Sequence, residues 1–218
     1  MKRLNVLVAC EYSGRVRDAF SALGHNAMSS DLLPTEAPGN HYQGDVRDVL
    51  YGGWDLIVAH PPCTFLSVAG NRWFNVDRYG EKAITRMKNR EQAIAFFNLF
   101  TDLECEKVAI ENPIGCMSKI YQKPSQVIHP YMFGDPERKA TCLWLKGLPA
   151  LQATNVVEPN IVKYKNGKGT DSPWHLDTLK LPAEERRKAR SLTFQGIADA
   201  MAMQWGGDVR HLGLREAV

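Results

Sequence analysis

The chain has 218 residues, of which 44% are hydrophobic and 23% charged, and its formal net charge is +3. This length suits one substantial α/β domain and leaves little room for a second full domain. No stretch approaches the ~20 apolar residues that span a bilayer, so we expect no membrane partner. The start, Met1-Lys2-Arg3, leads at once into an apolar run too short for a secretory signal, which predicts a cytoplasmic protein.

Strand-like apolar runs alternate with segments that look helical or loop-like, which predicts an α/β fold with a mostly parallel sheet and helices on both faces. The runs lie at 4–10, 26–30, 55–59, 107–111 and 141–145. The clearest helix is 81–103, where Ile84, Met87, Ile94 and Phe97 recur at helical spacing and predict a face buried in the core. A further helix is predicted at 193–205, before a Gly-Gly pair.

The first strand ends in a tight turn, Tyr12-Ser13-Gly14, before an amphipathic helix. Free backbone N–H groups at such a helix start suit an anionic or nucleoside-bearing cofactor. Asp31 follows at a distance where a carboxylate can bind a ribose, and Asp45 supplies a second acid for an adenine amino group. These five residues are the candidate cofactor-binding residues of this half of the chain.

Five cysteines, at positions 10, 63, 105, 116 and 142, form an odd set without a CxxC pair, so neither a disulfide framework nor a metal site is predicted. Cys10, Cys105 and Cys142 lie in or beside apolar runs and are expected to act as small core residues. Cys63 differs because it follows Pro61-Pro62, which fix φ, remove two donors and hold it in a rigid loop at the end of a strand. That edge of a parallel sheet is where ligands bind.

A second strand end carries Glu111-Asn112. If the two strands are neighbours, Cys63 and Glu111 converge on one pocket. A thiolate and a protonatable carboxylate together suit covalent attack on an electron-poor ring, with acid assistance at a ring nitrogen.

The segment 160–190 is basic, with eight Lys or Arg residues against four Asp or Glu residues, an excess of +4 within a chain whose net charge is +3. Trp174 and His175 are interleaved as stacking groups, a composition that suits nucleic acid. A solvated loop and helix face is the alternative interpretation. Lys165 and Lys168 are the candidate substrate-binding residues of this basic segment.

In order and spacing, the turn, Asp31, Gly44-Asp45, Pro61-Pro62-Cys63, Ser67 and Glu111-Asn112 resemble the DNA cytosine-5 methyltransferase family over residues 4 to about 145. The resemblance implies a Rossmann-like class I methyltransferase fold, S-adenosylmethionine as cofactor, Pro61 beside it, and DNA as partner. It implies that Cys63 adds to cytosine C6 and that Glu111 contacts N3. It also implies that Asn112 steadies the Pro-Pro-Cys loop, and that the base is flipped into the pocket.

Several positions depart from the family's pattern. The residues before Pro-Pro are Ala59-His60 where the family has glycine. The family's Gln-x-Arg-x-Arg strand entry reads Glu137-Arg138-Lys139-Ala140-Thr141. The resemblance therefore adds Arg138 to the catalytic residues and Ser67, Lys139 and Thr141 to the substrate-binding residues, without deciding whether Arg138 or Lys139 contacts the base.

The resemblance divides the chain into a catalytic core at 1–150, a short basic insertion at 151–190 in place of a target-recognition domain, and a helix within 191–218 that returns to the core. So short an insertion suits low sequence specificity, single-stranded DNA or a free nucleotide. The compact form is similar to phage or mobile-element enzymes of restriction-modification.

Three alternatives stay open. The same Cys63 attack would serve cytosine C5 hydroxymethylation with a folate carbon donor. An amino-group methyltransferase also has a Pro-Pro loop, but with an aromatic residue where Cys63 stands. A catalytically silent nucleic-acid-binding or anti-restriction protein on the same fold would not need Cys63 or Glu111.

Overall fold

The computed structural model describes residues 2–164 and 169–210. Its centre is a seven-stranded sheet of order β3-β2-β1-β4-β5-β7-β6. The strands are β1 (Asn5–Ala9), β2 (Asn26–Asp31), β3 (His41–Gln43), β4 (Leu56–Ala59), β5 (Val108–Pro113), β6 (Gln126–Ile128) and β7 (Thr141–Lys146). The strands from β1 to β5 are parallel, whereas β7 runs antiparallel to both β5 and β6. A separate hairpin joins β8 (Val162–Lys163) to β9 (Thr170–Asp171).

This strand order, with one antiparallel strand inserted beside β5, is the predicted Rossmann-like class I methyltransferase fold, which is confirmed. The α-helices are α1 (Arg15–Ala22), α2 (Val76–Tyr79), α3 (Glu81–Thr101), α4 (Met117–Ile120), α5 (Pro173–Leu179), α6 (Ala183–Ser191) and α7 (Gln195–Met201). Three short 3₁₀ segments lie at Val46–Asp48, Val68–Phe74 and Pro130–Met132, and α7 continues as a π-helical turn over Ala202–Gly206.

The sheet is buried on both faces, which explains why its central strands read as continuous apolar runs. In β1, Val6 and Val8 face a core that contains Phe20 of α1 and Met201 of α7. The intervening Leu7 and Ala9 face a second core that contains residues of α3. The alternation of side chains along a strand therefore fills two cores from one five-residue segment.

The helix predicted at 81–103 is confirmed as α3, but the prediction that Ile84 and Met87 belong to the core is wrong, since they are 36% and 40% exposed. A helix of 21 residues rises about 31 Å, whereas strands of four to six residues span roughly 13–20 Å. Only the second half of α3, with Phe97 and Phe100, therefore covers the sheet. Its first half packs on the loop that follows β4.

The helix predicted at 193–205 is confirmed as α7 and its π-helical continuation, and it ends at Gly207, whose φ is 75°. Within the described part of the chain, no helix is long and apolar enough to cross a membrane.

Candidate active site

The loop after β4 is held tightly on both sides of Cys63. The carbonyl oxygen of Cys63 accepts the backbone N–H groups of Leu66 and Ser67, both at 3.0 Å, which closes a turn over the cysteine. Before the cysteine, the Asn112 Nδ2 amide donates to the carbonyl oxygen of Pro61 at 2.7 Å. Asn112 is buried at the end of β5. Its side chain therefore holds the loop that follows the adjacent strand β4.

The segment after β5 holds the other end of this loop. Ser67 forms a β-bridge with Gly115, and the backbone N–H of Cys116 donates to the carbonyl oxygen of Leu66 at 2.9 Å. A Cβ atom at position 115 would overlap that carbonyl oxygen, so the close approach requires glycine. Ser67 therefore anchors the backbone of the loop and is not among the residues that line the cavity beside Cys63.

Glu111 and Cys63 interact electrostatically, as neighbouring strand ends allow. Desolvation is the largest cause that raises the pKa of the Cys63 thiol, the negative charge of Glu111 raises it further, and the Lys139 ammonium opposes both. Cys63 is consequently a neutral thiol near pH 7. Because the thiolate is the nucleophile, attack requires a nearby positive charge or a proton acceptor.

The Glu111 carboxyl itself is charged. Burial alone would raise its pKa, but His60, the Lys139 ammonium and the Thr141 hydroxyl outweigh burial and hold the pKa below its ordinary value. The Glu111 side chain is 18% exposed, and His60 Nδ1 lies 3.6 Å from Glu111 Oε2. The site therefore presents a carboxylate that must gain a proton before it can act as an acid.

A cavity of about 390 Å³ joins the Cys63 loop to the turn after β1. Its wall includes His60, Cys63, Tyr12, Ser13 and Asp31. A second cavity, of about 230 Å³, adjoins it, because Cys10, Asp31 and Pro62 line both.

The second cavity combines apolar walls with acidic side chains. Val46, Phe96 and Leu32 give it apolar walls, and Asp45 lies among its polar groups. The Asp31 carboxylate, at the end of β2, lies where the two cavities meet and suits ribose hydroxyls. The predicted pair Asp31 and Asp45 thus comes together with surfaces on which a purine ring can pack.

The prediction that free N–H groups at the start of α1 await an anion is wrong. The buried Glu11 carboxylate accepts the N–H groups of Val16 at 2.7 Å and Arg17 at 3.3 Å, and the Ser13 hydroxyl at 3.2 Å. The chain's own acid therefore occupies the place that the helix start offers to an anion. Gly14, with φ of 77°, makes the turn that lets Glu11 reach there.

The basic segment covers the first cavity. Four cationic residues of α6 line it: Arg186, Arg187, Lys188 and Arg190. The helix is attached to the core through main-chain carbonyl oxygens, since Tyr12 Oη donates to that of Lys188 at 3.0 Å and Lys139 Nζ to that of Arg190 at 2.9 Å. The Arg187 guanidinium and the Lys188 ammonium therefore take no part in these contacts.

Other predicted residues lie in different places. Arg138 is exposed and donates to Thr170 Oγ1 at 2.9 Å. Lys139 lies near the site, and its positive charge favours the ionised forms of Glu111 and Cys63 and so lowers the pKa of each. The structure thus separates the two candidates for the base contact. Lys165 and Lys168 lie outside the described residues.

Sequence reasoning missed three contributors to this site. Cys10, expected to be a small core residue, adopts a left-handed φ of 60° and lines both cavities, and burial raises its pKa to about 12. Glu11 caps α1, and His60 touches Glu111. The sequence did contain a signal for His60, because it is a bulky residue before Pro-Pro at a position where the family has glycine.

Among residues 2–164 and 169–210 no cluster of His, Cys, Asp and Glu could hold a metal ion.

Comparison with protein-family models and with curated proteins finds no match. Among solved structures, the chain is similar to the methyltransferase EhMeth of Entamoeba histolytica, with a TM-score of 0.44, 12% identity, and coverage of 74% of this chain and 59% of that one. It is also similar to the Dnmt2 methyltransferase of S. pombe, with a TM-score of 0.40, 14% identity, and coverage of 68% and 51%. The chain therefore spans between half and three fifths of the length of these methyltransferases.

Proposed function

We propose that this protein is an S-adenosylmethionine-dependent methyltransferase that acts on C5 of cytosine in DNA through covalent attack by Cys63 on C6. The observation that carries the proposal is that Cys63, in the loop after β4, interacts electrostatically with Glu111 on the adjacent parallel strand β5 and lines a cavity that adjoins a second one. A nucleophile and an acid so placed fit the two sides of a pyrimidine ring.

Each residue has a role that follows from its contacts. The Cys63 sulfur adds to C6, and Lys139 stabilises the thiolate by its positive charge. Glu111 donates a proton or hydrogen bond at N3, which draws electrons out of the ring and makes C6 electrophilic. Asn112 holds Pro61 and so fixes the height of the cysteine loop.

The two adjoining cavities fit the proposed cofactor. Asp31 would bind the ribose hydroxyls, and Val46 and Phe96 would enclose the adenine beside Asp45. Since Glu11 occupies the start of α1, the cofactor's carboxylate would pair with cationic side chains of α6. When bound, S-adenosylmethionine supplies an electrophilic methyl group.

The proposed DNA substrate must deliver an unpaired base, because C6 is inaccessible within a duplex. The cations of α6 at the cavity supply phosphate contacts without reading sequence. We therefore propose single-stranded DNA, or DNA recognised with low sequence specificity, as the partner.

The test is covalent capture. The purified protein is incubated with S-adenosylmethionine and a single-stranded oligonucleotide that contains 5-fluorocytosine, and the adduct is detected by denaturing electrophoresis and mass spectrometry. We expect an adduct with wild type and with Cys105→Ser, whose sulfur lies in a hydrogen-bonded position elsewhere. We expect none with Cys63→Ser. An adduct that persists in Cys63→Ser refutes the mechanism.

The carbon donor is tested separately. Nucleosides from DNA of cells that express the wild type or Cys63→Ser protein are compared by mass spectrometry. The proposal expects 5-methylcytosine that depends on Cys63. A 5-hydroxymethyl product would show that the carbon donor is not S-adenosylmethionine, while the attack by Cys63 would stand. Unchanged DNA together with no adduct would favour a catalytically silent binding protein.

A further inference from the structure

We propose that His60 is a positioning residue that shares one proton with Glu111, so that the pair delivers a proton to cytosine N3 while Cys63 adds to C6. This inference rests on the proposed function and deepens it. It assigns a role to a residue that stands where the resembled family has glycine.

The His60 imidazole is buried and its ring nitrogens form no hydrogen bond with the described residues. Its side chain is 8% exposed, and both ring nitrogens are inaccessible to solvent and lack a hydrogen-bond partner among the described residues. A buried polar group without a partner is costly and needs an explanation. His60 lines the cavity beside Cys63, and its Nδ1 is 3.6 Å from Glu111 Oε2, within reach after a small shift.

The other groups that face Glu111 cannot replace His60 as a proton source. Lys139, from the segment before β7, already donates to the main-chain carbonyl oxygens of Arg190 and Leu192. Thr141, on β7, contributes a neutral hydroxyl, and the thiols of Cys63 and Cys142 are disfavoured as anions by Glu111 itself. An imidazole is the side chain whose charge ordinarily changes between pH 5 and 8.

The proposed step balances as follows. Cys63, which is exposed, first loses its thiol proton to solvent. Its thiolate then forms the S–C6 bond, the π pair of C5=C6 becomes a C4=C5 bond, and the π pair of C4=N3 moves to N3. The His60 imidazolium passes its proton to the Glu111 carboxylate, and Glu111 passes that proton on to N3. When the S–C6 bond breaks and the thiolate leaves, the electron pairs return and the proton passes back from N3 to Glu111 and His60.

The first test does not depend on activity. The Glu111 carboxyl is titrated by ¹³C NMR in protein labelled at glutamate carboxyl carbons, with Glu111→Gln identifying its resonance. We expect the pKa of Glu111 to rise in His60→Ala, and to rise less in His60→Asn, which keeps a donor near the Nδ1 position without a proton to give. His129→Asn is the matched control, since it removes another partly buried imidazole with an unpaired Nδ1. An unchanged Glu111 pKa in His60→Ala overturns the proposal.

The second test measures exchange of the cytosine C5 hydrogen with solvent in single-stranded DNA, without any carbon donor. At pH 7 we expect His60→Asn to exchange about 100-fold more slowly than wild type, at the low end of general acid–base effects. The deficit should shrink as the pH falls, because a lone carboxyl then carries its own proton more often. A merely structural defect would leave the ratio independent of pH.

The outcomes separate the two proposals. Exchange by wild type with the same pH profile in His60→Asn overturns the role of His60 and leaves the Cys63 chemistry intact. Absence of exchange by wild type, together with absence of the 5-fluorocytosine adduct, overturns both.

Discussion

Arg17 lies beneath the turn between β1 and α1, and replacing it with methionine should loosen the neighbouring loop 32–40. The residue is fully buried. Its guanidinium donates to Ser29 Oγ, Thr35 Oγ1 and the carbonyl oxygens of Ala37 and Pro38 at 3.1–3.2 Å, and to Asp18 at 2.7 Å. One side chain thus ties β2 to the loop 32–40.

The magnitude follows from what Arg17→Met leaves behind. Asp18 is half exposed and can regain water, and the Thr35 hydroxyl still donates to the Ala37 carbonyl at 2.9 Å. The Pro38 carbonyl oxygen loses the hydrogen bond that the Arg17 guanidinium donates to it. We therefore expect a loss of about 3 kcal/mol, the lower end for breaking a buried charged network. For a chain of this size that corresponds to a melting temperature about 6–12 °C lower.

The assay is urea denaturation followed by circular dichroism, with Arg3→Met as the control because Arg3 is exposed. The control should change the free energy of unfolding by less than about 0.5 kcal/mol. We also expect weaker binding of S-adenosylmethionine by Arg17→Met under conditions where the variant is folded, because Asp31 at the end of β2 and Leu33 in loop 32–40 line the first cavity. A loss below about 1 kcal/mol would show that the network contributes little, and would refute the reasoning.

Three further results are expected at the Cys63 loop. Asn112→Ala removes the donor to the Pro61 carbonyl oxygen, so the free energy of unfolding should fall by about 1–2 kcal/mol in urea denaturation and the 5-fluorocytosine adduct should form more slowly. Glu111→Gln removes a negative charge that raises the pKa of Cys63, so the curve of iodoacetamide alkylation rate against pH should move to lower pH. Lys139→Met removes the opposing positive charge and should move the same curve to higher pH; a shift of either curve in the reverse direction contradicts the electrostatic account.

The fold was predictable because its central strands are buried on both faces and their apolar runs are uninterrupted. The position of Cys63 was predictable for a related reason, since two prolines cannot continue a central strand. The pairing of β4 with β5, registered by Ile57 opposite Val108, then brings the ends of both strands to one edge.

Two features of the site depended on side-chain directions that the sequence leaves open. An acid in the loop between β1 and α1, such as Glu11, can point to solvent or to the start of the helix, and the left-handed turn at Gly14 decides that it is buried. His60 and Glu111 are 51 residues apart in sequence, and only the sheet order makes them neighbours. The exposure of Ile84 in α3 likewise follows from the short strands beneath it, which helical periodicity alone does not report.

The placement of α6 links the basic segment to the chemistry of the cavity. Tyr12 and Arg15, both from the first βα unit, hold this region through the carbonyl oxygens of Lys188 and Thr193 at 3.0 and 2.8 Å. Arg186 and Arg190 donate to oxygen atoms of α5. These attachments do not use the charged ends of Arg187 and Lys188, so the charge of those two residues stays available to an anionic ligand. Since Arg187 lines the cavity that also contains Cys63, a phosphate or carboxylate bound there would share the cavity with Cys63. The segment that sequence analysis separated from the catalytic core is therefore a wall of the site.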